Sequence, residues 1–459
     1  MSNTNTKEYI KWAIILLIPI CIALMPTTEV FTHQIKMYLA ITIWAILMFI
    51  FELIPNGVTA LLLMLLFIIF GVSDLKTAFG GFTQGVVWQL FGCLFLINIV
   101  KRTNLLTRFG YRFCVLMGGT YLGIIIGIFI LSLIFALLIP GPTTGTLIVI
   151  FGLSICQALN LEKGRASSGI MIATALAFCE VCNIVYNPMC HGLMAGLAAN
   201  VDPGVQINYV SVFIHNLCYI PFSIFCAFLI AKLCKPEVEI DGKEKLQQLL
   251  REMPPMDFTE KKVLAVMIAM VVYFITNPIH KLDMTYGFLL APIILMLPGF
   301  RIAKAEDVSN VSWNLILFVV GCLAIGNVGG TLGIGGIIAN IALPLFDGQG
   351  PVVFVLLCYA IGAVANLLMT PLAFMSTLTV PFSQIAIDLG YSCYPVVWAF
   401  SQASAAVVFP YETTMTLIMF SFGMCQMKEF TKVFGAKMIL TAIWTAVIAV
   451  PYWMFLGIL

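Results

Sequence analysis

Three ionisable residues stand inside apolar runs of the chain: Glu180, His191 and Glu412. At membrane depth such groups are costly, rare and by default functional. Histidine titrates near neutral pH and a desolvated carboxyl can be raised toward it. Each of the three is therefore a candidate for taking up a coupling proton or cation, or for touching a polar solute. The bland reading makes Glu412 a half-helix cap and His191 a satisfied core histidine. Two of the three lie in segments that proline opens, Tyr186-Asn187-Pro188-Met189-Cys190-His191 and Pro410-Tyr411-Glu412-Thr413-Thr414. Two further proline breaks, Pro140-Gly141-Pro142 before Thr143-Thr144 and Thr370-Pro371, would each begin a half-helix. The free N–H groups and positive dipole end of a half-helix favour an anion. The candidate binding set is Pro142, Thr143, Thr144, Asn187, His191, Thr370, Pro371, Thr413 and Thr414. No Lys or Arg lies near either break, so helix dipoles, hydroxyls and a protonated His191 would hold the anion.

The elements that must position these residues are membrane helices. The 459 residues are 61% hydrophobic and 10% charged, with a mean hydropathy of +1.06, whereas a soluble domain carries about 25% charged residues. A net charge of +2, from 23 Lys and Arg against 21 Asp and Glu, excludes a nucleic-acid binder, which needs a basic footprint. The 14 cysteines sit largely within apolar runs, where cysteine behaves as a small hydrophobe, and no paired Cys-x-x-Cys motifs indicate a metal. Lys7 and Lys11 precede an apolar stretch without a small-residue cleavage site, so the first span is expected to be retained.

Apolar runs and their breakers predict eleven crossing helices, near 12–27, 37–53, 56–72, 85–100, 167–199, 209–231, 262–277, 285–299, 312–342, 394–424 and 434–457. Two interrupted pairs, 119–158 and 351–389, are read as re-entrant hairpins. With the N-terminus cytosolic, this arrangement places 20 of the 23 basic residues inside and only Lys36, Lys76 and Lys281 outside, as the positive-inside rule requires. It predicts a multi-pass protein of the cell inner membrane with its C-terminus outside. The polar stretch from Cys234 to Lys262 reads as a solvated cytosolic connector.

The halves share landmarks. Gly92-Cys93-Leu94 with Asn98 matches Gly321-Cys322-Leu323 with Asn327 at an offset of 229, and the same offset carries Pro142 onto Pro371. An odd number of crossings separates the matched spans, so the repeats are expected to be inverted, as in many secondary transporters. The expected division is an N-terminal span (1–36), a first repeat (37–232), the connector (233–262) and a second repeat (263–459). Gly329 to Gly336 resembles a nucleotide loop but lacks a preceding strand, so close helix packing is the better reading. Gly123 and Gly127 form one small-xxx-small pair with no assigned oligomeric role. Metalloprotease, hydrolase and P-loop motifs are absent. A channel is the second class considered, distinguished from a carrier by the absence of counterflow.

Several segments resemble the divalent anion:sodium symporters, the INDY-type dicarboxylate transporters. They are Glu52-Leu53-Ile54-Pro55 with Val58-Thr59-Ala60-Leu61, Gly81-Phe82 with Val87-Trp88, Lys101-Arg102-Thr103-Asn104-Leu105, and Met256-Asp257-Phe258-Thr259 with Glu260-Lys261. The likeness runs over roughly 40–455. It implies an elevator-type homodimer embedded in lipid that moves dicarboxylates or tricarboxylates such as succinate, malate or citrate with sodium, and that needs no organic cofactor. In that family each hairpin tip carries Ser-Asn-Thr. Here the first tip has Pro142-Thr143-Thr144 and the second Pro371-Leu372-Ala373, so side-chain oxygens for sodium are lost and backbone carbonyls remain. A sodium-independent exchanger and a proton-coupled carrier for another anion are the alternatives.

Overall fold

Three helix breaks in this chain fall at X-Pro steps, where the residue before proline is pushed out of the helical region. Asn187 before Pro188 is extended (φ −117°, ψ 115°), and so is Thr370 before Pro371 (φ −66°, ψ 153°). Pro142, Pro188 and Pro371 then each occupy the start of the next helix, where the missing N–H costs nothing. The computed structural model describes residues 2–28, 31–51, 53–334, 337, 344, 346, 348–368, 370–409 and 412–459. The side chains of 2–8, 50, 142, 143, 278, 368 and 414 are not described. Glu52, Gly335, Gly336, Pro410 and Tyr411 thus lie outside the described residues, as do the side chains of Pro142, Thr143 and Thr414.

All regular elements among the described residues are helical, apart from an isolated bridge between Thr120 and Asp241. Four helices are individually long and apolar enough to cross a bilayer: Tyr121–Leu138, Arg165–Ile184, Trp313–Thr331 and Met427–Phe455. Two bent pairs reach that length together, Gly85–Val100 with Leu105–Leu116 (77°) and Tyr209–His215 with Leu217–Leu233 (51°). Shorter apolar helices complete the set. Outward faces carry Ile69, Val272 and Val447 in exposed positions, a surface suited to lipid rather than water.

Both interrupted pairs are broken as expected. The first runs Tyr121–Leu138, breaks over Ile139–Gly141, and resumes as Pro142–Ala158. The second runs Pro351–Leu368 and resumes as Pro371–Asp388. The long span expected near 167–199 instead ends at Ile184, passes through extended residues, and restarts as a π-turn, Pro188–Gly192, and the helix Leu193–Ala198.

Gly92 and Gly321 occupy equivalent crossings. A Cβ on Gly92 would collide with the backbone of Phe288 in helix Met284–Ile294, and one on Gly321 would meet Ala60 in helix Asn56–Ile69. Gly329 likewise admits the Tyr38 hydroxyl. Gly127 lies against Cys114 and Gly123 against Met117, so this pair serves contacts within the chain.

Three sequence expectations need correction. The basic segment after Val100 contains a helix, Leu105–Leu116, tied to the connector by Arg108–Glu260 (3.3 Å) and by the Asn104 N–H to Glu260 (2.9 Å). The connector is not merely a solvated run: its helix Lys243–Glu252 packs on Leu105–Leu116 and buries Leu246 completely. Finally, Lys437 is not a loop charge. It lies inside helix Met427–Trp444 with no exposure, because Glu180 supplies a partner 2.8 Å away.

Candidate functional site

A cavity of about 590 Å³ is walled by both interrupted pairs and both opened segments. Thr146 comes from the first pair and Thr370, Pro371 and Leu372 from the second. Asn187, Met189 and Cys190 come from the first opened segment, Glu412 and Thr413 from the second. Asn56, Ser312 and Asn314 close it from the helices that carry the glycine crossings. Residues more than two hundred positions apart in sequence thus share one chamber.

Thr370 is extended before Pro371, and its hydroxyl, buried on the cavity wall, has no hydrogen-bond partner among the described residues. An unmade hydrogen bond at a buried hydroxyl costs about 1–3 kcal/mol, a debt that a polar ligand would cancel. Thr144 behaves differently. Its hydroxyl donates to the Ile139 carbonyl (2.8 Å) and braces the first break, leaving Thr146, two residues on, to reach the cavity.

Glu412 is almost fully buried and is the only Asp, Glu, Lys or Arg among the described lining residues. Its Oε1 accepts the backbone N–H groups of Val408 (2.9 Å) and Phe409 (2.6 Å), and its Oε2 accepts from Asn366 (3.2 Å). The carboxylate therefore holds the opened segment in shape and ties it to the helix leading into the second break. Thr413 caps Thr414–Ser421 by accepting the Thr416 N–H at 3.3 Å.

His191 is enclosed one layer behind the wall. Its Nδ1 accepts the Asn187 N–H (3.1 Å), which leaves Nε2–H to donate to Ser401 Oγ (3.0 Å). Ser401 in turn donates to Asn183 Oδ1 (2.8 Å), and Asn183 Nδ2 donates to Gln402 (3.2 Å). Both ring nitrogens are thus occupied in a neutral imidazole, and the ring is absent from the described cavity lining. Asn187 holds the turn by accepting the Met189 N–H (3.0 Å) while facing the cavity. Glu180 is also behind the wall, pairing with Lys437 at 2.8 Å with neither side chain exposed.

Sequence reasoning missed Asn56, Thr146, Asn183, Ser312, Asn314 and Ser404 on the wall. It also read Cys179 and Cys182 as packing, whereas both line the cavity beside Cys190. Helical spacing from the break could have found Thr146. Nothing local marks Asn56 or Asn314.

The sequence signature described as the sodium:sulfate symporter transmembrane region matches residues 6–459. The chain belongs to the sodium:sulfate symporter family. That description is of a membrane region of symporters of sodium and sulfate. A curated "Membrane protein" of Cupriavidus necator is 24% identical over 267 residues, covering 55% of this chain and 51% of the relative. The chain therefore spans about half the length of that curated relative. Among solved structures, the fold is similar to the YdaH transporter of Alcanivorax borkumensis, with a TM-score of 0.58 and 13% identity over 83% of this chain and 88% of that one.

Proposed function

We propose that the protein is a secondary active transporter of small organic anions, di- or tricarboxylates such as succinate, malate and citrate, driven by a cation gradient across the cytoplasmic membrane. One observation carries the reading: the cavity joins both interrupted pairs and both opened segments, yet among its described wall residues the single acidic or basic side chain is that of Glu412. An anion entering beside that carboxylate meets like charge in a low-dielectric setting, which is unfavourable unless a positive charge enters too. Sodium is the cation the family indicates, and the Glu412 carboxylate with the opened backbone is where it would be held. The anion then takes the Thr370 hydroxyl, the half-helix starts at Pro142 and Pro371, and the donors of Asn187 and Thr413. Thr143 and Thr144 contribute through the backbone of the first of these starts, and Thr414 through that of helix Thr414–Ser421.

The pairing of broken helices across an offset of 229 supports an inverted repeat. On this reading the two hairpins, with the opened segments, move as one body against the remaining helices in an elevator motion, within a homodimer. A second reading has one specific support. Glu412 is a titratable group inside the cavity, and protonating it would remove the like charge without any metal ion, giving a proton-coupled carrier.

Proteoliposomes preloaded with candidate dicarboxylates distinguish these readings. Inward sodium should accelerate uptake under sodium symport, and inward protons under proton coupling. Stimulation by internal substrate identifies a carrier and excludes a channel. Absence of uptake and counterflow for every anion tested would refute the assignment.

A further inference from the structure

Lys437 reaches from the interior of helix Met427–Trp444 to two partners at once. Its ammonium donates to the Ala405 carbonyl at 3.0 Å and lies 2.8 Å from Glu180 Oε1. Ala405 is the C-cap of helix Tyr394–Ser404 and a wall residue of the cavity. Glu180 lies in helix Arg165–Ile184, beside the wall residues Cys179 and Asn183. Neither Glu180 oxygen has a further hydrogen-bond partner among the described residues, so Lys437 alone balances it.

The terminal carbonyls of a helix lack intrahelical partners and carry the negative end of its dipole. In transporters built from broken helices, such carbonyl ends are seats for coupling cations. A buried ion pair is seldom the cheapest way to fill space, since apolar residues of similar volume often do as well. A lysine spanning that distance to an interrupted helix end is placed for its charge.

We infer that the Lys437 ammonium is a resident cation: it fills, at the carboxyl end of the broken helix Tyr394–Ser404, a carbonyl seat that a co-transported cation would otherwise occupy, with Glu180 as its fixed counter-ion. The chain then needs one mobile cation fewer per cycle than the same fold without the lysine. This rests on the transport reading above.

The test uses the full-length protein and two charge-neutral double variants, Lys437→Met/Glu180→Gln and Lys437→Gln/Glu180→Gln, with Lys437→Arg as a charge-retaining control. Two readouts are compared: the sodium dependence of anion uptake, and the sodium-dependent rise in melting temperature against choline. A vacated seat that sodium fills raises the Hill coefficient for sodium by about one and enlarges the thermal response, while Lys437→Arg behaves as wild type. A folded double variant with unchanged sodium dependence in both readouts overturns the inference. Failure of both double variants to fold, with Lys437→Arg active, assigns the pair to structure alone and also overturns it. If the wild type shows no sodium-stimulated uptake, the transport reading fails instead, and the thermal response to sodium still decides the resident cation.

Discussion

Asn366 donates a 3.2 Å hydrogen bond to the Glu412 carboxylate, joining the helix that enters the second break to the second opened segment. Neither residue is more than 5% exposed. Glu412 thereby shapes the cavity and is the one acidic side chain on its described wall, and these roles separate experimentally.

Glu412→Gln preserves volume and one acceptor while removing the charge. Cation-driven uptake should fall about 10- to 100-fold, the scale of about 1.5–3 kcal/mol for bonds to a charged group. If protons couple, wild-type uptake rises as pH falls through the range of about 5.5–8.5 and the variant's profile flattens, because protonation neutralises the group. Under sodium coupling both profiles stay level while the sodium requirement changes. Unchanged rates and pH profile in Glu412→Gln and His191→Ala would remove both residues from coupling.

Thr370→Val and Thr144→Val should diverge. The first removes an unpartnered hydroxyl at the wall, so KM rises about 5- to 10-fold for one lost ligand hydrogen bond at an unchanged melting temperature. The second strands the Ile139 carbonyl and costs about 1–3 kcal/mol of stability, visible in thermal unfolding, with KM little altered in the folded fraction.

The thiols of Cys179, Cys182 and Cys190 face the cavity, so a small charged methanethiosulfonate should block uptake, and bound substrate should slow the block. Peptide mass spectrometry would locate the label. Labelling confined to the exposed Cys21 would contradict the placement of the cavity.

Gly92→Leu and Gly321→Leu should each destabilise severely, beyond the about 1–3 kcal/mol typical of overpacking, because the Phe288 backbone and the immobile Ala60 Cβ, rather than a flexible side chain, occupy the space. Gly435→Ala, where nothing lies within 4 Å of the added Cβ, is the control and should unfold at the wild-type temperature.

Much of this was legible in the chain. Proline marks a break through a local steric effect, so Pro142, Pro188 and Pro371 declared their positions without tertiary information. The Gly92 and Gly321 landmarks were visible because close helix crossings tolerate little else. What was not legible depends on partners far away in sequence. Lys437 looks like any basic residue near a helix start until Glu180 is beside it. His191 looks like a cavity base until Asn187 and Ser401 occupy both ring nitrogens. The helix Leu105–Leu116 was hidden because its polar face resembles a basic loop when only charge is counted.

The bonds from His191 through Ser401 and Asn183 to Gln402 run between Arg165–Ile184, the π-turn after it, and Tyr394–Ser404. These elements lead into the two opened segments, and they are yoked. On the proposed transport reading, neither opening widens without pulling on the other, so loading of one partner is sensed by its co-passenger's seat through a rigid linkage rather than a travelling rearrangement. Binding order then becomes a property of four hydrogen-bonding side chains.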